Sequence, residues 1–116
     1  MNTISLVEIE RSLLCTLLFA YMISDEHIHT LEPMKLSGDT FTDSFHKVTL
    51  RALQHIYKQG LLLTDETVIA LLAQYNQLDE QKMLLITTHN WLGAHTYKQS
   101  CDVLTENANG NLLQGL

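Results

Sequence analysis

Apolar residues recur along this chain at three- and four-residue intervals, and the breaks between those runs mark out a series of helices. Leu6, Ile9, Leu13, Leu17 and Ala20 keep helical spacing. Ser5 and Glu8 precede them as a capping box, in which the serine oxygen accepts from a free backbone N–H and the glutamate reaches back to the cap. Beyond residue 12 the polar face all but disappears, so this first helix is expected to be covered on several sides. Ser24 starts a short second helix with Asp25 and Glu26 in its first turn, where the helix dipole favours negative charge, and Pro33 ends it.

After a loop containing Gly38, the segment Phe41 to Gln59 reads as the longest helix. Phe45, Val48, Ala52 and Ile56 mark its apolar stripe, and Leu50, Leu53 and Tyr57 widen it. Opposite them Lys47, Arg51, Gln54 and Lys58 share one polar face. Gly60 stands where a left-handed C-terminal cap is wanted. Thr64 or Asp65 then caps a helix carrying Val68, Leu71, Leu72 and Tyr75, and a shorter helix runs from about Asp79 to Ile86. Ala94, Tyr97, Cys101 and Leu104 define the last helix before Asn107 to Asn111 interrupt the pattern. Six helices and no convincing strand predict a compact all-α domain. It spans 1–116 as a single unit, with residues 107–116 expected to fray or to begin a linker.

Composition excludes several classes. Hydrophobic residues make up 46% and charged ones 17%, which rules out a disordered tail. Thirteen acidic residues against seven basic ones leave a net charge of −6. A nucleic-acid binder needs surplus Lys and Arg to displace counterions from phosphates, so no direct DNA or RNA contact is expected. The most apolar run, Leu13 to Ile23, is 11 residues long, short of the ~20 that cross a bilayer. Glu8 and Glu10 precede it where a signal peptide would carry positive charge. Cys15 and Cys101 each sit in a helical pattern, as reduced, buried thiols do. The expectation is a cytoplasmic globule with no membrane contact.

Candidate chemistry is sparse. The chain carries no phosphate loop, dinucleotide fingerprint, nucleophile elbow, zincin motif or CxxC. His27 and His29 are two apart, which on a helix points them to different faces, and His46 and His55 are nine apart. They read as surface or capping histidines rather than metal ligands, and a small metal-dependent hydrolase built on His27 and His29 rests on composition alone. The acidic pairs Glu8–Glu10, Asp25–Glu26 and Asp65–Glu66 fall in first turns, where the dipole accounts for them. No catalytic group, cofactor or metal is therefore expected. Lys47, Arg51 and Lys58 hold three of the seven cations and form either a solvated face or a contact surface for an acidic partner, including another copy of this chain. Trp91, Leu92 and Tyr97 bracket Gly93 and are either core or interface.

Two segments carry a family resemblance. Glu8 to Leu18 (EIERSLLCTLL) looks like the opening helix of the N-terminal domain of DnaB-type replicative DNA helicases. Phe41 to Thr64 (FTDSFHKVTLRALQHIYKQGLLLT) is similar to that family's pattern F-Y-D-P-x-H-R-x-I-F-x-A-I-x-x-L-Y-x-x-G-x-x-I-D. Phe41, Asp43, His46, Ala52, Tyr57 and Gly60 fall on it as they stand, while Ser44 replaces the usual proline and Leu50 the usual phenylalanine. Ala94 to Val103 resembles the segment that begins the family's C-terminal helical hairpin, with Tyr97 at its tyrosine.

The resemblance implies a domain with no ATP site, whose parent, if longer, would be an ATP-dependent DNA helicase. In that family six copies pair through their hairpins into a collar that docks the C-terminal domain of DnaG-type primase and, in some systems, a helicase loader. By the same resemblance Phe41 and Tyr57 would be core aromatics, and His46 and Lys47 would anchor the start of the long helix. Residues from Trp91 onward, Leu104 included, would lie at a subunit interface. An alternative of the same fold is a free-standing phage, plasmid or host adaptor that regulates the helicase. A reading frame continuing past Leu116 into a phosphate-loop ATPase separates the two.

Overall fold

The apolar run that begins at Leu13 becomes the axis of the fold. In the computed structural model, which describes residues 6–22, 36–37, 40–89 and 94–108 (the side chains of 94–98 excepted), α1 spans Leu6–Leu18. Its residues 13 to 18 are all buried. A helix apolar on all sides must be enclosed, and α1 packs against α2 (Ser44–Lys58), α4 (Glu80–Thr87) and α5 (Ala94–Ala108). The remaining helix, α3 (Asp65–Gln74), packs on α2. Among the described residues there is no strand.

Five α-helices and one 3-10 turn, Ala20–Met22, are therefore described. The expected second helix, from Ser24 to Pro33, lies outside the described residues, as do Ser5 of the expected capping box and residues 109–116. The apolar run also ends differently from expectation. The chain tightens into the 3-10 turn after Leu18, and Tyr21 and Met22 emerge at the surface. The Tyr21 hydroxyl donates to Asp65 Oδ1 at 3.1 Å, tying the turn to the start of α3.

Local rules account for the helix ends. The long helix starts at Ser44 rather than Phe41, because the Asp43 side chain accepts from the Phe45 and His46 N–H groups and caps it. Gly60 has φ +71°, and the Gly60 and Leu61 N–H groups donate to the Tyr57 and Ile56 carbonyls, a left-handed C-terminal cap as the sequence predicts. Asn76, at φ 57°, closes α3 in the same way through bonds from Asn76 to Ala73 and from Gln77 to Leu72. Thr64 caps α3 reciprocally with Thr67, and Asp79 caps α4 through the Lys82 N–H. The last helix runs on through Asn107 and Ala108.

The core draws on every helix, with Leu13, Leu14, Leu17, Leu50, Leu53, Val68, Ile86 and Leu104 essentially inaccessible. Each such side chain contributes about 1.5–3 kcal/mol of burial. Cys15 and Cys101 are both buried within it and form no disulfide. Among the described residues no helix is long and apolar enough to cross a membrane.

Candidate protein-docking surface

The long helix α2 has two chemically distinct flanks, set by which residues its 3.6-residue period brings together. One flank is buried against α1. There Glu10, in the middle of α1, is fully buried, and it accepts four hydrogen bonds from the segment that leads into α2 and from the first turn of α2. The Thr42 N–H and hydroxyl each reach Oε2 at 2.8 Å, the Asp43 N–H reaches Oε1 at 3.3 Å, and His46 Nδ1 lies 2.7 Å from Oε1. Burial pushes the Glu10 carboxyl up, but these donors outweigh it and hold the group below its ordinary value. Because an ionised carboxylate can only accept, Nδ1 of His46 carries the shared hydrogen.

This cluster corrects two expectations. Glu10 is not a first-turn residue explained by the helix dipole, and His46 is not at the surface but only 1% exposed. Phe41 meets the His46 ring edge-on, with centroids 6.4 Å apart. Asp43 serves twice, since Oδ1 caps α2 while Oδ2 accepts from Lys82 Nζ of α4 at 3.1 Å. Burial raises the Asp43 carboxyl, and the Lys82, His46 and Phe45 contacts bring it below the ordinary range. The sequence does hold a signal for Glu10: it stands between Leu6 and Leu13–Leu14 on the apolar stripe of α1, where a carboxylate needs a partner.

The other resemblance residues divide. His46 bonds Glu10 of α1 from the first turn of α2, whereas Lys47 contributes its backbone N–H to Asp43 O and no side-chain ion pair among the described residues. Ala52 is buried. Tyr57 is not a core aromatic, being 37% exposed. It lies two turns after Leu50 on the same edge of α2, and the edge that is covered at Leu50 is open in the final turn.

The opposite flank of α2 faces a groove of about 350 Å³ between α2 and α3, walled by Val48, Arg51 and His55 on one side and Leu71 and Tyr75 on the other. Of the predicted basic stripe, only Arg51 lines this groove. Lys58 is exposed two turns away, Lys47 is half-buried, and Gln54 leaves the stripe to donate to the Leu36 carbonyl at 2.8 Å. Sequence periodicity does not foreshadow the groove itself, nor the exposed Leu61, Leu62, Leu84 and Leu85. Leu61 and Leu62 follow a glycine cap and belong to no helical stripe, which is the one sequence cue to their exposure.

The predicted C-terminal interface is placed in part. Trp91 and Leu92 and the side chain of Tyr97 lie outside the described residues. Leu104 is fully buried in the chain's own core, on the helix that packs against α1, so it does not offer a surface to a partner. At the far end of α4, Ser12 Oγ sits 2.8 Å from His89 Nδ1, and the Cys15 thiol donates to the His89 carbonyl at 3.2 Å. A hydroxyl beside an imidazole is half of a nucleophile–base pair, but among the described residues no carboxylate meets that ring to orient it. Burial pushes the Cys15 thiol up, keeping it protonated and unreactive. These contacts serve to lock α1 to the end of α4. His27 and His29 lie outside the described residues, and among those described no group of three His, Cys, Asp or Glu side chains could hold a metal ion.

Comparison with protein-family models, with curated proteins and with solved structures finds no match to this chain.

Proposed function

We propose that this chain is a non-catalytic protein-interaction domain of a replicative DNA helicase, of the DnaB N-terminal type, which assembles an oligomeric collar and docks primase. The observation that carries the reading is the Phe41–Thr64 run, because Asp43, His46 and Gly60 among its matching residues hold fold-defining places. Asp43 is the cap of α2, and Ser44, where the pattern has proline, is the first helical residue, the position in a helix that best accepts proline. His46 is bonded to Glu10 of the opening helix, which belongs to the other matching segment. Gly60 takes the left-handed conformation that favours glycine. A pattern shared for structural reasons supports a shared fold, and in that fold the work is done by surfaces.

Light scattering across a concentration series, followed by titration with a primase C-terminal domain, tests the reading. A concentration-dependent dimer or larger assembly that binds primase is expected. A chain that stays monomeric and ignores primase at high concentration sinks it. Within that assembly Tyr97→Asp should weaken self-association, and dimerisation unchanged by it would remove the C-terminal helix from the interface.

A further inference from the structure

We propose that the groove between α2 and α3 is the docking site for an acidic amphipathic segment of a partner protein, which seats an apolar anchor on Val48, Leu71 and Tyr75 and sets a carboxylate against Arg51. The inference rests on the reading of this chain as a docking domain and adds to it a place and a partner chemistry.

Shape comes first. A groove of about 350 Å³ lies at the lower end of the ~300–1,000 Å³ typical of ligand sites, suited to anchor side chains rather than to enclosing a cofactor. Its floor is apolar, and α2 and α3 are fixed on either side by left-handed caps at Gly60 and Asn76. The Asn76 turn returns the chain so that Gln77 reaches the groove. Two helical walls with an apolar floor match the way an amphipathic helix is held in a groove.

Charge then selects the occupant. Among the described residues no Asp or Glu lines the groove. Arg51 is exposed, and among the described residues it has no carboxylate partner, since the two ion pairs are Glu10–His46 and Asp43–Lys82. Lys58 continues the same face of α2. Asp65 and Glu66 stand at the opposite end of α3 from Tyr75, about 15 Å along the helix axis. An otherwise acidic molecule thus presents one cation beside apolar surface, an arrangement that attracts acidic segments and repels basic ones. Tyr75 is 65% exposed, and tyrosine and arginine are among the side chains that most often dominate binding energy at interface centres. A second copy is the other occupant, and the effect of Arg51→Glu on self-association distinguishes it from a partner segment.

The test uses the full chain and two fluorescein-labelled helical peptides, one carrying a leucine stripe flanked by glutamates and the other with lysines in their place. Anisotropy should show the glutamate peptide binding, more weakly as salt is raised, and the lysine peptide not binding. NMR amide shifts should centre on Arg51, His55, Leu71 and Tyr75. Arg51→Glu should weaken binding about tenfold or more, and Tyr75→Ala should weaken it too. Equal binding of the two peptides, no binding of either, shifts centred elsewhere, or indifference to both substitutions overturns the proposal. Self-association lost in Arg51→Glu would assign the groove to a second copy and overturn it as well. Failure of collar assembly or primase binding would instead sink the helicase reading while leaving peptide binding in the groove intact.

Discussion

His46 and His55 belong to one helix and lie nine residues, or two and a half turns, apart, and their surroundings are opposites. His46 is enclosed, its ring hydrogen committed to a carboxylate that also holds three other donors. His55 is exposed on the wall of a groove beside Arg51. The first region closes its polar groups on one another. The second has a cation and an aromatic, Arg51 and Tyr75, with no such commitments among the described residues. Polar residues of similar kind are thus enclosed in one place and open in the other, and the difference lies in whether their hydrogen bonds are closed within the chain.

The sharpest way to break this contrast is to open the closed region. Glu10→Ala removes the acceptor of four donors and leaves His46 buried beside a void, so it should cost about 3–5 kcal/mol, read as a lower urea midpoint. Replacing Glu10 and His46 together by leucine should recover part of that loss. A Glu10→Ala protein as stable as the parent would show that the cluster is incidental.

Acid should open the same region without mutation. The ordinary values are 4.5 for Glu10 and 3.8 for Asp43, and both groups are held lower in the fold. Their stabilisation is therefore complete above those ordinary values and disappears as pH falls through the lower, folded ones. The urea midpoint should drop in that acidic window, and a Glu10→Gln/Asp43→Asn variant should show a flatter decline. An unchanged slope would mean that other carboxylates govern acid unfolding.

Smaller effects test the periphery. Asp43→Ala removes a helix cap and should cost about 1 kcal/mol. Gly60→Ala meets no neighbouring atom within 4 Å, so only its left-handed backbone counts, at about 1–2 kcal/mol. Arg51→Glu, on the open flank, should shift stability by no more than about 0.5 kcal/mol. A larger loss at Arg51 would show that this side chain supports the fold and would blur the contrast between the two flanks.

Most of the helical architecture is legible in the order of residues. The apolar period locates α1 through α5 to within a few residues, and Gly60 and Thr64 announce their caps. Burial is harder to read. Tyr57 carries the right residue type at the right interval yet sits at an uncovered edge. Leu104 belongs to a stripe that could equally have faced a partner, and it faces α1's side of the core instead. A local rule about first turns assigns Glu10 to the helix dipole, while its actual partners lie 32 to 36 residues further along the chain. The groove requires α2 and α3 to be side by side, which no single helical pattern specifies.

The sequence by itself determined the all-α class, the caps at Gly60 and Thr64, the shortage of known catalytic motifs and the family resemblance of the Phe41–Thr64 run. Each of these depends on residues within a turn or two of one another, where backbone geometry and hydrogen bonding are local. Only the tertiary structure decided that Glu10 and His46 are sealed together and that Arg51 and Tyr75 share an open groove. Those outcomes depend on which distant surfaces exclude water, because burial makes a pair of opposite polar groups obligatory and exposure leaves a similar group available for binding.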